Sequence, residues 1–162
     1  MKSERVLLIT HWAPNILLFR RGLLQQLVGR GSQVMVAAPD CREFPKEELQ
    51  RMGVEIFPIA TKRNAISPVE RRRFQNGIRR AVEEWKPTAV VTFSHYPNIS
   101  FARAIYPPPS LRWIAVTTGM GRFFTPVQGW RELVRNIFAL GLMREYRKLA
   151  PKATAVLALN RD

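Results

Sequence analysis

Trp113-Ile114-Ala115-Val116-Thr117-Thr118-Gly119-Met120-Gly121-Arg122-Phe123-Phe124 is the stretch whose reading decides the fold. Its first half is an apolar run with β-branched residues, the pattern of a parallel strand covered on both faces. Its second half turns through two glycines separated by one residue. Glycine accepts positive φ and leaves backbone N–H groups open to close approach by a ligand. Thr117 and Thr118 add hydroxyls on one side of the turn, and Arg122 adds a fixed positive charge on the other. In an open parallel sheet, ligands sit just beyond the carboxyl ends of the strands, where this turn falls. The same Gly-x-Gly also suits a plain tight turn, so the rest of the chain must decide.

Strand and helix patterns alternate on both sides of that stretch. Arg5 to Thr10 carries Val-Leu-Leu-Ile without alternation, which predicts a central parallel strand. A helix follows from about Ile16 to Arg30, with Leu17, Leu24, Leu27 and Val28 as its apolar stripe and Gly31 as its stop. Val34 to Ala38 is the second strand, and this β-α-β unit should cross over right-handed. A short helix over Lys46 to Met52 leads to a third strand, Val54 to Ile59, whose alternation places it nearer an edge. Ser67-Pro68 opens a helix whose buried face is Phe74, Ile78, Val82 and Trp85.

Ala89 to Ser94 is the fourth strand and ends in a crevice-facing loop, His95-Tyr96-Pro97-Asn98. A helix from about Ile99 to Ile105 then precedes Pro107-Pro108-Pro109. After the glycine turn, the longest helix runs from about Gln128 to Leu149. It sets Trp130, Leu133, Val134, Ile137, Phe138, Leu142, Tyr146 and Leu149 on one face, with Arg131, Arg135, Arg144, Arg147 and Lys148 beside it. Such a basic amphipathic helix suits anionic lipid headgroups, and it equally suits a core-facing helix with a solvated back. Ala153 to Leu159 is a sixth strand. The pattern predicts one Rossmann-like α/β domain over residues 1–162, with a doubly wound, mostly parallel sheet of about six strands.

Composition narrows the function classes. The chain has 162 residues, 46% of them hydrophobic, which is enough for one domain with a real core. It carries 26 Lys and Arg against 12 Asp and Glu, a net +14 that favours nucleic acid, anionic membranes or phosphorylated substrates. Eight of those cations fall between Lys62 and Lys86 against three acids, and helical spacing puts the arginines on a solvated outer face. No zinc-finger spacing, ribonucleoprotein aromatic motif or helix-turn-helix pattern supports nucleic acid as the partner. Cys41 is alone, so no internal disulfide forms and a cytoplasmic setting is expected. Ile137 to Met143 is the longest uncharged apolar stretch and is too short to span a bilayer, so any membrane contact would have to be peripheral.

Several chemistries are disfavoured. The dinucleotide fingerprint is missing from the first strand–helix turn, where His11 and Trp12 stand instead. A Gly-x-Ser-x-Gly elbow, a phosphate-binding loop and a metal-ligand cluster are also missing, the two histidines and one cysteine being widely separated.

Taken together, the landmarks resemble the N-terminal domain of family 4 glycosyltransferases of the two-domain GT-B type, in particular bacterial enzymes that build surface polysaccharide, including lipopolysaccharide, on a lipid carrier. Four pieces carry the likeness in order along nearly the whole chain. They are Phe19-Arg20-Arg21-Gly22-Leu23-Leu24 with Leu27-Val28-Gly29-Arg30-Gly31 and Ala37-Ala38-Pro39-Asp40; Met52-Gly53-Val54 with Pro58-Ile59; Lys86-Pro87 before the strand ending near Pro97-Asn98; and Thr118-Gly119-Met120-Gly121 with Phe124, read with Asn160 and Asp162.

The resemblance implies an acceptor-binding domain. Thr118, Gly119, Met120, Gly121 and Arg122, with His95 and Asn98, would hold a lipid-linked saccharide acceptor. Phe123, Phe124, Trp130, Arg131 and Arg135 would face lipid, at an anionic membrane surface. Many relatives carry a histidine where Thr118 stands, and His95 could supply that polar contact from the neighbouring loop. The nucleotide-sugar donor belongs to a C-terminal domain that this chain lacks, so the resemblance implies no cofactor or metal bound here and little or no transferase activity alone. A truncated product, an isolated domain and one half of a split enzyme are all compatible with that; a self-contained α/β enzyme and a basic nucleic-acid-binding domain are the other readings.

Overall fold

A computed structural model describes residues 4–40, 44–61, 67–118 and 130–159, and the side chains of 130–135 fall outside that set. At its centre lies β1 (Arg5–Ile9), whose Leu7, Leu8 and Ile9 are fully buried, as a strand covered on both faces must be. It pairs in parallel with β2 (Gln33–Pro39) on one side and β4 (Ala89–Phe93) on the other. β3 (Val54–Ile59) continues beyond β2, and β5 (Arg112–Thr117) and β6 (Ala155–Ala158) continue beyond β4. The order is β3-β2-β1-β4-β5-β6, parallel throughout, which is the doubly wound sheet the sequence predicts.

The helices follow from the crossover rule. Steps from β1 to β2 to β3 move one way, so α1 (Pro14–Gly29) and α2 (Lys46–Arg51) lie on one face. Steps from β3 to β4, β5 and β6 move the other way, so α3 (Pro68–Trp85), α4 (His95–Ala104) and α5 (Trp130–Leu149) lie on the opposite face. Two core clusters result. One joins Val6, Leu8, Val34 and Val36 to Ile16, Leu17, Leu24 and Leu49. The other joins Leu7, Ile9, Val90 and Trp113 to Phe74, Ile78, Trp85, Phe101 and Leu149.

Local chemistry sets the helix ends. Gly31 and Gly53 take positive φ (80° and 76°) and end α1 and α2. Ser67 caps α3 by accepting from the Glu70 N–H at 3.2 Å, in a Ser-x-x-Glu arrangement.

Three expectations change. The stretch His95–Asn98 is not a loop but the first turn of α4. Pro97 fits there because the first N–H groups of a helix have no intrahelical partner to lose. The sixth strand is shorter than expected, because Ala153 still donates to Leu149 O after a 3-10 turn at Ala150–Lys152.

The third change concerns α5. Among its described side chains, Leu149 at the carboxyl end is the one that is buried in the core, with Tyr146 half-buried, while Ile137, Phe138, Leu140 and Met143 are exposed. Twenty helical residues extend about 30 Å, whereas four to seven strand residues extend only about 13 to 23 Å. The helix therefore overhangs the carboxyl edge of the sheet. Ile137 and Phe138, expected on the same packed face as Leu149, lie on that overhang. The expected start at Gln128 lies outside the described residues.

Gly77 lets α3 approach β3 closely. A Cβ there would stand 3.0 Å from Ile59 Cγ1 and 3.2 Å from its Cβ, with Cγ2 closer still. Gly77→Ala should therefore destabilise the domain by about 1–3 kcal/mol through overpacking, despite alanine's better helix propensity. Thermal unfolding monitored by far-UV circular dichroism tests this, and an unchanged or raised Tm would refute the close packing.

Candidate functional site

The strand order reverses between β1 and β4, and adjacent connections leave toward opposite faces there. A crevice opens at the carboxyl ends of the strands as a direct result. It forms a cleft of about 280 Å³ between the strand ends and the first turns of α1. Thr10, Phe93, Ser94, Thr118 and Leu159 come from the strand ends, and Asn15, Ile16, Phe19 and Arg20 from α1.

Ser94 gives the cleft its shape. It adopts φ 79°, ψ 163°, a region that side-chain-bearing residues avoid at a cost of about 1–3 kcal/mol. The turn from β4 into α4 is thereby made by one residue. Its N–H still donates to Val116 O at 2.9 Å, and its Oγ lies 2.8 Å from Thr118 Oγ1. Two hydroxyls consequently stand side by side on the cleft wall. Across from them the Arg20 guanidinium rests 5.3 Å from the Phe93 ring centroid and donates to Phe19 O at 2.8 Å. Paired hydroxyls, a carboxamide, aromatic faces and one guanidinium suit a polyhydroxylated ligand that carries negative charge.

Behind this wall runs a buried polar chain. Trp113 Nε1 donates to Thr92 Oγ1 at 3.0 Å, and Thr92 Oγ1 donates to Asn98 Oδ1 at 2.5 Å. Asn98 Nδ2 donates to Val116 O at 3.2 Å and to Tyr146 Oη at 2.8 Å. Tyr146 Oη in turn lies 2.9 Å from His95 Nδ1. Because the tyrosine oxygen accepts from Asn98, its own hydrogen is available for His95 Nδ1, which suits the neutral imidazole. Burial also holds His95 below its usual value of 6.5 and pushes the Tyr146 hydroxyl above its usual 10.0.

The expected site residues thus divide. Thr118 lines the cleft. Asn98 does not open onto it: the side chain is fully buried and its carboxamide is occupied in tying β4, β5 and α5 to α4. His95 lines a separate trough outside α4. Gly119, Met120, Gly121, Arg122, Phe123 and Phe124 lie outside the described residues, as do the side chains of Trp130, Arg131 and Arg135. Thr10, Asn15, Phe19, Arg20, Ser94 and Leu159 were not among the expected site residues, although Thr10, Ser94 and Leu159 all sit where strands end. Among the described residues no group of three His, Cys, Asp or Glu converges as a metal site. No helix among them is long and apolar enough to cross a membrane.

No protein-family model matches the sequence, and no curated protein matches it. Solved structures do resemble the fold. A putative UDP-N-acetylglucosamine 2-epimerase from Listeria monocytogenes superposes with a TM-score of 0.60 at 14% identity, over 99% of this chain and 40% of its own. MurG from Acinetobacter baumannii gives 0.57 at 13% identity, over 98% and 42%. The glycosyltransferase SnogD from Streptomyces nogalater gives 0.52 at 16% identity, over 99% and 44%. The chain therefore has the architecture of one Rossmann-like half of a GT-B fold, and it spans less than half the length of these neighbours.

Since the folded His95 binds protons less readily than an unfolded histidine, its stability contribution is fully present above about pH 6.5 and is lost as the pH falls through that value toward the lowered folded-state pKa. His95→Gln should accordingly lose less Tm than the parent between about pH 7 and pH 5. Identical slopes in the two proteins would show that His95 does not carry this titration.

Proposed function

We propose that this chain is the acceptor-binding domain of a glycosyltransferase, with the nucleotide-sugar donor held by a second Rossmann-like domain. The observation that carries this reading is the cleft between β1 and β4, walled by Ser94, Thr118, Phe19 and Arg20. Its hydroxyls and aromatic faces match a sugar ring, and Arg20 matches an anionic group on the acceptor. The family likeness adds the class: a family 4 enzyme of bacterial surface-polysaccharide assembly, acting on a lipid-linked saccharide. In that reading the Gly119–Gly121 backbone and Arg122 meet the carrier's diphosphate, and the isolated domain transfers little or no sugar.

The membrane part of the proposal draws on α5. Its overhang exposes Ile137, Phe138, Leu140 and Met143, with Arg144, Arg147 and Lys148 exposed further along the helix. Apolar insertion beside basic side chains suits peripheral binding to the anionic inner face of a cytoplasmic membrane. Phe123, Phe124, Trp130, Arg131 and Arg135 would extend that surface. A separate chain supplying the donor domain, as in a split enzyme, is consistent with the same cleft.

The test is binding of a polyprenyl diphosphate-linked saccharide to Arg20→Ala and Arg122→Ala variants, against Arg73→Ala as a bulk-charge control. Loss of one charge-assisted contact should weaken binding by roughly tenfold or more in the first two, with little change in the control. Equal losses in all three would reduce the effect to net charge and sink the site assignment.

A further inference from the structure

Two residues other than glycine take positive φ among the described residues, Lys86 and Ser94. Lys86, at φ 50° and ψ 61°, ends α3 in the left-handed helical region, an ordinary conformation for a helix stop. Ser94, at φ 79° and ψ 163°, lies in a region that belongs almost wholly to glycine. A glycine would make the same one-residue turn from β4 into α4 without strain. What serine adds at this place is a hydroxymethyl group.

That group forgoes the usual work of a serine at a helix start. Ser67 does that work: at φ −68° and ψ 147°, its Oγ accepts from the Glu70 N–H at 3.2 Å and caps α3. Ser94 holds the same position before α4, yet its side chain makes no capping bond. Its Oγ is turned instead to Thr118 Oγ1, 2.8 Å away on the cleft wall. A single neutral bond between two hydroxyls offsets only part of the backbone strain. Neither turn geometry nor helix capping accounts for serine here, and the cleft remains.

The hydroxyl pair presents a definite pattern to that cleft. Each hydroxyl carries one hydrogen and two lone pairs, and one hydrogen is spent inside the pair. The pair thus offers a ligand one donor and several acceptor lone pairs on two adjacent oxygens. Neighbouring gauche hydroxyls on a sugar ring stand at a similar spacing and carry the same inventory. Set against each other, the two pairs satisfy one another, while Phe19 and Phe93 meet the apolar faces of the ring. We propose that Ser94 is a specificity-determining residue of the cleft, and that with Thr118 it reads a vicinal diol on the acceptor sugar. This rests on the acceptor reading of the cleft, and it adds the hydroxyl pattern that the sugar must carry.

The probe is a polyprenyl diphosphate-linked glucose disaccharide, used whole or with its vicinal diols cleaved by periodate and reduced by borohydride. Binding to the intact chain is read by calorimetry, and stability by thermal unfolding. Ser94→Ala keeps the Cβ and the strain, whereas Ser94→Gly releases it, so the glycine variant should melt about 2–4 °C above the alanine variant. Both should bind the whole disaccharide about tenfold more weakly than the parent, as should Thr118→Val. Ser94→Ala combined with Thr118→Val should lose no more than either alone, because the pair acts as a unit. The cleaved probe should bind the parent about tenfold more weakly than the whole one, and Ser94→Ala should not distinguish the two. An alanine variant that melts at or above the glycine variant shows no strain at this position and overturns the proposal. So does a Ser94→Gly that binds like the parent, the result a purely structural serine would give, and so does a parent that binds both probes equally. Weakened binding in Arg20→Ala with none in Ser94→Ala overturns the Ser94 assignment alone; no binding by the parent overturns the acceptor reading with it.

Discussion

Right-handedness of the β-α-β crossover is the constraint on which the rest of this structure depends. With β1 at the centre and strands laid down first to one side and then to the other, that handedness forces α1 and α2 onto one face and α3, α4 and α5 onto the other. The crevice at the carboxyl ends of β1 and β4 is a geometric remainder of the same rule. The trough outside α4 follows instead from helix length, a short helix lying between two long ones on the second face. Side chains then give both cavities their chemistry.

The strained turn at Ser94 and the buried carboxamide of Asn98 act as one device. A residue held at φ 79° needs neighbours that over-determine its conformation. Asn98, four residues later, supplies part of that by bonding Thr92, Val116 and Tyr146 from a site with no water access. A buried amide left unpaired would cost about 1–3 kcal/mol, so the four elements it touches are held in mutual register. The wall between the cleft and the trough is stiff for that reason.

Much of this could be read in the chain before any coordinates. The unbroken Val-Leu-Leu-Ile run identifies a central parallel strand because both sheet faces are covered there. Gly31 and Gly53 identify helix ends because positive φ is needed there. The place of Thr118 on the cleft wall follows from the rule that the crevice of such a sheet opens at the strand ends. Asn98 was misplaced because a short polar residue after a strand reads as a crevice loop, and only the one-residue turn at Ser94 sends it inward. That turn carries no glycine, so nothing in the residue types announces it. The overhang of α5 escaped for a different reason. Periodicity reports which side of a helix is apolar, not how far the neighbouring sheet extends beneath it. Phe19 and Arg20 were visible in the sequence, but on a helix flank that periodicity assigns to solvent.

The two margins of the sheet are unequal. On β3, Asp40 N–H donates to Ile59 O at 2.8 Å, which turns the carbonyl of residue 59 toward β2 and the nitrogen of Pro58 outward. That margin lacks an amide hydrogen where an incoming strand would need one. β6 offers the opposite: four residues without proline, with Val156 and Leu157 exposed. Should this protein self-associate through its backbone, pairing would run β6 to β6 and stop at two copies, since the β3 margin of each stays closed by its proline.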